Sequence, residues 1–239
     1  MDEAEYALMD EAESRMWWYR ALHARLAEAL AGVRGPILDA GCGTGGLLAR
    51  LGSGYPERHG LEFNAAAAAL AAAKSGARIT RGSINAMPYA DASFAAVVSA
   101  DVLCHAAVDP AAALAELRRV LRPGGRLLLN LPAYGWLLST HDRRVHNTRR
   151  FTARAAQTMV AAAGFGGVRA RYWNSLLFPL MVVQRKLLAN NDHAASDVAA
   201  FSPWLDASLH GITRAERLLP ALPFGGSVLV TGHRPGATP

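Results

Sequence analysis

Between Pro36 and Pro132 the chain alternates two hydrophobic rhythms. Short apolar runs read as strands: "PILDA" (36–40), "RHGLEF" (58–63), "ARITRG" (77–82), "FAAVVSAD" (94–101) and "RLLLNLP" (126–132). Between them lie helical segments. One opens at "GLLARLG", an Ala-rich one runs from Asn64 to Gly76, and one after Asp109-Pro110 sets Leu114, Leu117 and Leu121 on one side. Asn64 and Asp109 are N-cap residues by type, and Pro110 suits a first helical position. "RPGG" (122–125) reads as a turn. The run 94–101 is apolar throughout, as a strand buried in a parallel sheet should be. The alternation predicts an α/β fold, an open doubly wound parallel sheet.

The flanks differ. Residues 3–31 read as one helix, with Trp17, Leu22, Leu26 and Leu30 at helical spacing and Gly32 and Gly35-Pro36 ending it. Residues 139–151 are polar and arginine-rich. A helix capped by Thr152 covers 152–165, a strand 167–174, a helical and proline-punctuated stretch 175–222, and a last strand 226–234; a frayed tail is expected after Arg234.

Composition adds little to this. With 51% hydrophobic residues in 239, one sizeable core is expected and a single domain. The net charge is +6, but only Lys74 and Lys186 of the 25 basic residues are lysines. That bias goes with abundant alanine, so the charge alone does not point to nucleic acid; it suits an anionic small molecule or membrane surface. Cys42 and Cys104 lack metal-ligand partners at useful spacing, and "MDEAEYALMDEAE" is too acidic for a secretory signal; a reduced, cytoplasmic setting is expected. The apolar "SLLFPLMVV" (175–183) falls far short of the about 20 residues that span a bilayer.

The candidate chemistry starts at "DAGCGTGG" (39–46). Gly41, Gly43 and Gly46 fit a dinucleotide fingerprint; Gly41, Gly43 and Gly45 fit the tighter loop of S-adenosylmethionine (SAM) enzymes. Glu62, 17 residues after Gly45, suits the ribose of either ligand. Asp39 discriminates: its carboxylate would repel a pyrophosphate but suits the ammonium of SAM, with loop capping as its structural alternative.

"ILDAGCGTG", "GLEFN", "RGSINAMPYADASFAAVVSADVLCHAAVDP" and "ELRRVLRPGGRLLLNLP" together resemble the class I SAM-dependent methyltransferases, of the type that includes ubiquinone-pathway O-methyltransferases. The resemblance covers about residues 36–132. It implies a seven-stranded Rossmann-like sheet with 167–174 and 226–234 as its last strands, the final one antiparallel. It divides the single domain 1–239 into an N-terminal helical lid (1–34), a SAM-binding core (35–132) and an acceptor side (133–239) with a helical insertion before the last strand. It assigns Asp39, Gly41 and Gly43 to the methionine moiety, Glu62 to the ribose, Phe63 to one adenine face, and Ser83 and Ile84 to the adenine edge. Cys42 and Asp101 are counted with the cofactor lining. Many members carry Asp where this chain has Ser83 and Ala95.

His105, just past the fourth strand, is the candidate catalytic base; the alternative is a pocket-lining histidine. Asp101 and His105 could share a divalent metal, but the Glu-x-x-Glu-His of similar quinone O-methyltransferases reads Asp101-Val-Leu-Cys104-His105 here, one carboxylate short, and no metal is expected. "STHDRRVHNTRRF" offers His141, His146, Arg149 and Arg150 to an acidic acceptor, or is a solvated connection. "RMWWYR" offers Trp17, Trp18 and Tyr19 as a cover over cofactor or acceptor, or as plain packing. Residues 174–188 read as a membrane-interface contact, a greasy pocket wall or ordinary packing.

The expectation is therefore an enzyme: a SAM-dependent methyltransferase releasing S-adenosylhomocysteine (SAH) and acting on a small molecule, at an oxygen of an acidic or amphipathic substrate (natural product, quinone or lipid-like). The alternatives are C- or N-methylation of a small molecule, or a SAM-binding partner protein without turnover. No nucleic-acid partner is expected, since there is no Asn-Pro-Pro-Tyr motif and no basic stripe interleaved with aromatics.

Overall fold

The computed structural model describes residues 3–185 and 202–236. Five strands run in parallel through the core: β1 (Ile37–Ala40), β2 (Arg58–Glu62), β3 (Arg78–Arg81), β4 (Phe94–Ala100) and β5 (Leu121–Pro132). Two more, β6 (Gly166–Trp173) and β7 (Ser227–His233), complete a seven-stranded sheet in the order β3-β2-β1-β4-β5-β7-β6. Strand β7 is antiparallel to both its neighbours. The order reverses at β1, whose chain goes outward to β2 while β4 pairs on its other edge, so a crevice opens at the carboxyl ends of β1 and β4.

Burial follows the two-residue period of the strands. Leu38, Val97, Leu127 and Leu129 face one layer, with Leu114 and Leu117 of α5 (Pro110–Val120). Ile37, Val98 and Leu128 face the other, with Leu22, Leu26 and Leu30 from α2 (Trp17–Ala29) and its C-cap. Both faces are covered, which explains the near-continuous apolar runs. Helices α3 (Gly46–Leu51) and α4 (Ala65–Ser75) flank β1 and β2. Asn64 caps α4 by accepting from the Ala67 amide at 3.0 Å, Asp109 caps α5, and Thr152 caps α7 (Ala153–Ala162).

Three expected elements differ. The single helix 3–31 is two, α1 (Glu3–Ala12) and α2, because Glu13 turns inward and Met16 is extended. The α2 N-terminus is then capped from afar: the Trp17 amide donates to Asp206 Oδ1. "RPGG" does not precede β5 but bulges from it, since Leu121 pairs with Phe94 and Arg126 with Ala96. The stretch 175–222 contains α8 (Phe178–Val183) and α9 (Pro203–Glu216); residues 186–201 and 237–239 lie outside the described residues. A short helix, α6 (Thr140–Arg144), interrupts the arginine-rich connection.

Glu216 of α9 organises the turn after β6. It accepts from the amides of Asn174 and Ser175, both at 2.7 Å, and pairs with the buried Arg25 at 3.3 Å. Among the described residues no helix is long and apolar enough to cross a membrane.

Candidate active site

A cavity of about 690 Å³ lies over the crevice at the carboxyl edge of the sheet. At one end is the glycine loop. Gly43 has φ +54°, a left-handed conformation that favours glycine, and the Met9 methyl of α1 lies over it. Glu13, in the bend between α1 and α2, caps the loop. It accepts from Thr44 Oγ1 at 2.5 Å and from Lys74 Nζ at 2.8 Å. Burial raises its carboxyl above the ordinary range, and Lys74 and Thr44 oppose that shift.

Asp39 sits at the end of β1, 4% exposed. Burial first, then the neighbouring Glu13 and Glu62, push its carboxyl up to about 8. No hydrogen bond or cation from the described residues offsets this. Glu62, at the end of β2, accepts from the amides of Gly43 (3.0 Å) and Asn64 (2.9 Å) and from the Tyr6 hydroxyl (3.2 Å). The next residue, Phe63, is 76% exposed. Gly41, Cys42, Ser83 and Ile84 complete this end of the lining, and burial raises the Cys42 thiol.

The other end is built on the segments after β4 and β5. Asp101 has φ +54° and its Oδ2 accepts from Asn130 Nδ2 at 2.8 Å. Burial pushes its carboxyl up to about 7. Asn130 in turn accepts from Trp173 Nε1 at 2.8 Å, and Trp173 stacks on Trp18. His105 lines the cavity with Nδ1 2.9 Å from the Val145 carbonyl. A carbonyl only accepts, so Nδ1 carries the proton and Nε2 holds the lone pair. Burial holds the ring below the usual histidine value.

The arginine-rich connection is not a solvated loop. Asp142, 1% exposed, accepts from Arg150 Nε (3.1 Å) and Nη2 (2.8 and 2.9 Å) and from Arg185 Nη1 at 3.0 Å. Burial alone would raise the Asp142 carboxyl, yet the arginines hold it below the ordinary range. All three residues line the cavity, with His146. Arg149 does not: its guanidinium ties the His105 and Val108 carbonyls together at 2.7 and 3.0 Å. The expectation that it grips an acceptor is corrected to a role in holding the His105 loop. The side chain of His141 lies outside the described residues. Trp17, Trp18 and Tyr19 all line the cavity, so the bend after α1 lets three consecutive aromatics serve one site.

Residues 38–129 match a family model described as a methyltransferase domain. That stretch is similar to methyltransferase domains, and the seven-stranded sheet has the fold of solved SAM-dependent methyltransferases. Over 119 residues it is 40% identical to a demethylmenaquinone methyltransferase of Deinococcus radiodurans, a stretch that is 47% of this chain and 48% of that one. It spans between 29% and 61% of the length of the curated relatives it matches. In fold it is similar to a SAM-dependent methyltransferase of Thermotoga maritima (TM-score 0.63, 17% identity, 97% of this chain and 95% of that one). It is also similar to geranyl diphosphate C-methyltransferase of Streptomyces coelicolor (TM-score 0.60, 16% identity, 90% and 80%).

The residues of this site fit SAM. A buried carboxylate without a partner among the described residues, Asp39, suits an ammonium. An exposed aromatic face, Phe63, beside an acidic residue suits an adenosine. Glu62 uses three of the roughly four lone-pair sites of a carboxylate, which leaves acceptor capacity for one ribose hydroxyl.

Sequence reasoning missed Tyr6, Met9, Glu13, His23, Asp142 and Arg185 of the cavity lining. Burial drives the His23 pKa down to about 3, so it is a neutral wall residue. The only signal for Glu13 was an acidic residue at a position later found to interrupt a helix. For Asp142 the signal was its being the one acid among four arginines.

Proposed function

We propose that this chain transfers a methyl group from SAM to an oxygen of a small acidic or amphipathic molecule. Bound SAM supplies an already activated methyl group at its sulfonium. Asp39 holds its ammonium, Glu62 its ribose and Phe63 its adenine, with Ser83 and Ile84 at the adenine edge. What the rest of the site must do is orient the acceptor and take its proton.

The observation that carries this reading is the His105 Nδ1 contact with the Val145 carbonyl, 2.9 Å. It leaves Nε2 unprotonated, and burial keeps the ring neutral near pH 7, so the imidazole can accept a hydroxyl proton. Two guanidiniums around one carboxylate leave surplus positive charge at Asp142, which favours an acidic acceptor. Trp17, Leu177 and Met181 supply apolar wall for the remainder. The geranyl diphosphate enzyme of similar fold is named for an acceptor that is anionic at one end and apolar at the other.

The test follows radiolabelled methyl transfer from SAM into hydroxybenzoates with and without long alkyl chains. Transfer to oxygen is expected, with His105→Asn reducing the rate by about 10²–10⁴ while SAH binding persists. Transfer to carbon or nitrogen, or turnover indifferent to His105, would refute the assignment. SAH binding with no methylated product from this panel or from extracts would favour a binding protein.

A further inference from the structure

Residues 133–185 contain eight arginines and one acidic residue, Asp142. That segment alone carries +7 where the whole chain carries +6, so the rest of the chain is close to neutral. Asp142 is buried and pairs with the largely covered side chains of Arg150 and Arg185, and the outward charge comes from Arg143, Arg154, Arg169 and Arg171, all exposed. The surface of this segment is basic.

The same segment carries an apolar patch. All six residues of α8 (FPLMVV) are apolar and none is buried. Leu180 is 57% exposed, Val183 44% and Leu176, just before the helix, 42%. The turn after β5 adds Trp136 at 51% and Leu138 at 45%. These pieces are neighbours: Trp136 and Phe178 rings lie 6.3 Å apart, Phe178 and the loop residue Phe224 5.9 Å, and Arg185 reaches the Leu137 carbonyl at 3.3 Å. Exposed arginines flank the patch. Arg143 sits on α6 close after Leu138, and Arg154 on the first turn of α7, whose Ala153 amide donates to Tyr172 beside Tyr134. The patch also borders the cavity, because Leu180 and Arg185 line it.

We propose that this face docks on an anionic lipid bilayer. Apolar side chains with exposed arginines on the neighbouring elements match the headgroup boundary, where the former bury and the latter meet phosphates. A second copy of the chain is disfavoured, since a two-fold contact would set the same arginines against each other. An amphipathic acceptor could then pass from the bilayer into the cavity beside α8. That last step rests on the proposed function; the docking does not.

The test is co-sedimentation with vesicles of phosphatidylcholine containing about one third phosphatidylglycerol, against vesicles of phosphatidylcholine alone. The wild type is expected to pellet with the anionic vesicles and to be released by high salt. The double variant Trp136→Glu/Leu138→Glu, at residues outside the cavity lining, should bind at least tenfold more weakly while keeping its melting temperature and SAH affinity. Should that variant fail to fold, Arg143→Glu/Arg154→Glu replaces it, with the same expectation. Wild type that stays in the supernatant, or folded variants that bind equally well, would overturn the proposal. So would a wild-type dimer that the apolar variant dissociates, in the absence of vesicle binding.

Discussion

The Tyr6 hydroxyl donates to the Glu62 carboxylate at 3.2 Å, across 56 residues of sequence. The contact joins α1 to the residue assigned to the ribose. Burial and the adjacent carboxylate raise the Tyr6 pKa, so the hydroxyl stays a donor across the working pH range. With Met9 over Gly43 and Glu13 on Thr44, α1 covers the glycine loop through three side chains. Tyr6→Phe should speed SAH dissociation by at least roughly tenfold, the equivalent of about 1.5 kcal/mol, the low end for one hydrogen bond to a charged group. Stopped-flow displacement checks it; an unchanged or slower rate would mean that α1 does not hold the ligand.

Asp39 predicts a pH dependence of binding. Its carboxyl titrates near 8 in the ligand-free chain and must be ionised to pair with an ammonium. Below that pH, binding releases a proton, so affinity for SAH should rise with pH up to about 8, by roughly tenfold per unit well below it. Calorimetry in two buffers of different ionisation enthalpy measures the released proton directly. Asp39→Asn should abolish both the proton and the slope; a slope that survives would assign the titration elsewhere.

Catalysis should titrate with His105. Burial places its pKa below the ordinary value of 6.5, so the acid limb of the rate profile should fall below that pH, with a plateau through neutrality. A limb above 6.5 that disappears in His105→Asn would contradict the tautomer and burial argument.

Glu216 carries a stability prediction. Its carboxylate serves three amides, those of Asn174, Ser175 and Leu176, and pairs with Arg25, both side chains being 9% exposed. Glu216→Ala leaves Arg25 charged and buried and three donors open, at a cost of about 3–5 kcal/mol. At about 2–4 °C per kcal/mol for a chain of this size, the melting temperature should drop by roughly 6–20 °C. A shift under 2 °C in a thermal melt would show that solvent replaces those bonds.

The sheet and the cofactor end were legible because they rest on local signals. Strand runs, the caps at Asn64 and Asp109, and the loop around Gly43 each depend on neighbours in sequence. The acceptor end rests on long-range pairings that no periodicity encodes. Asp142 gathers Arg150 and Arg185 from 8 and 43 residues away, and at the glycine loop Glu13, which sequence reasoning missed for the same reason, reaches Lys74 across 61. Arg149 and Arg150 are adjacent in sequence and equally suited to an anion, yet one faces backbone carbonyls and the other the cavity.

Everything at the cofactor end depends on the glycine loop, Asp39 and Glu62 holding SAM. Calorimetric titration with SAH and, separately, NAD, on the wild type and on Glu62→Ala, decides it. SAH should bind with a dissociation constant on the order of micromolar, lose at least tenfold in the variant, and NAD should give no heat. NAD binding, or SAH binding indifferent to Glu62, would contradict that assignment.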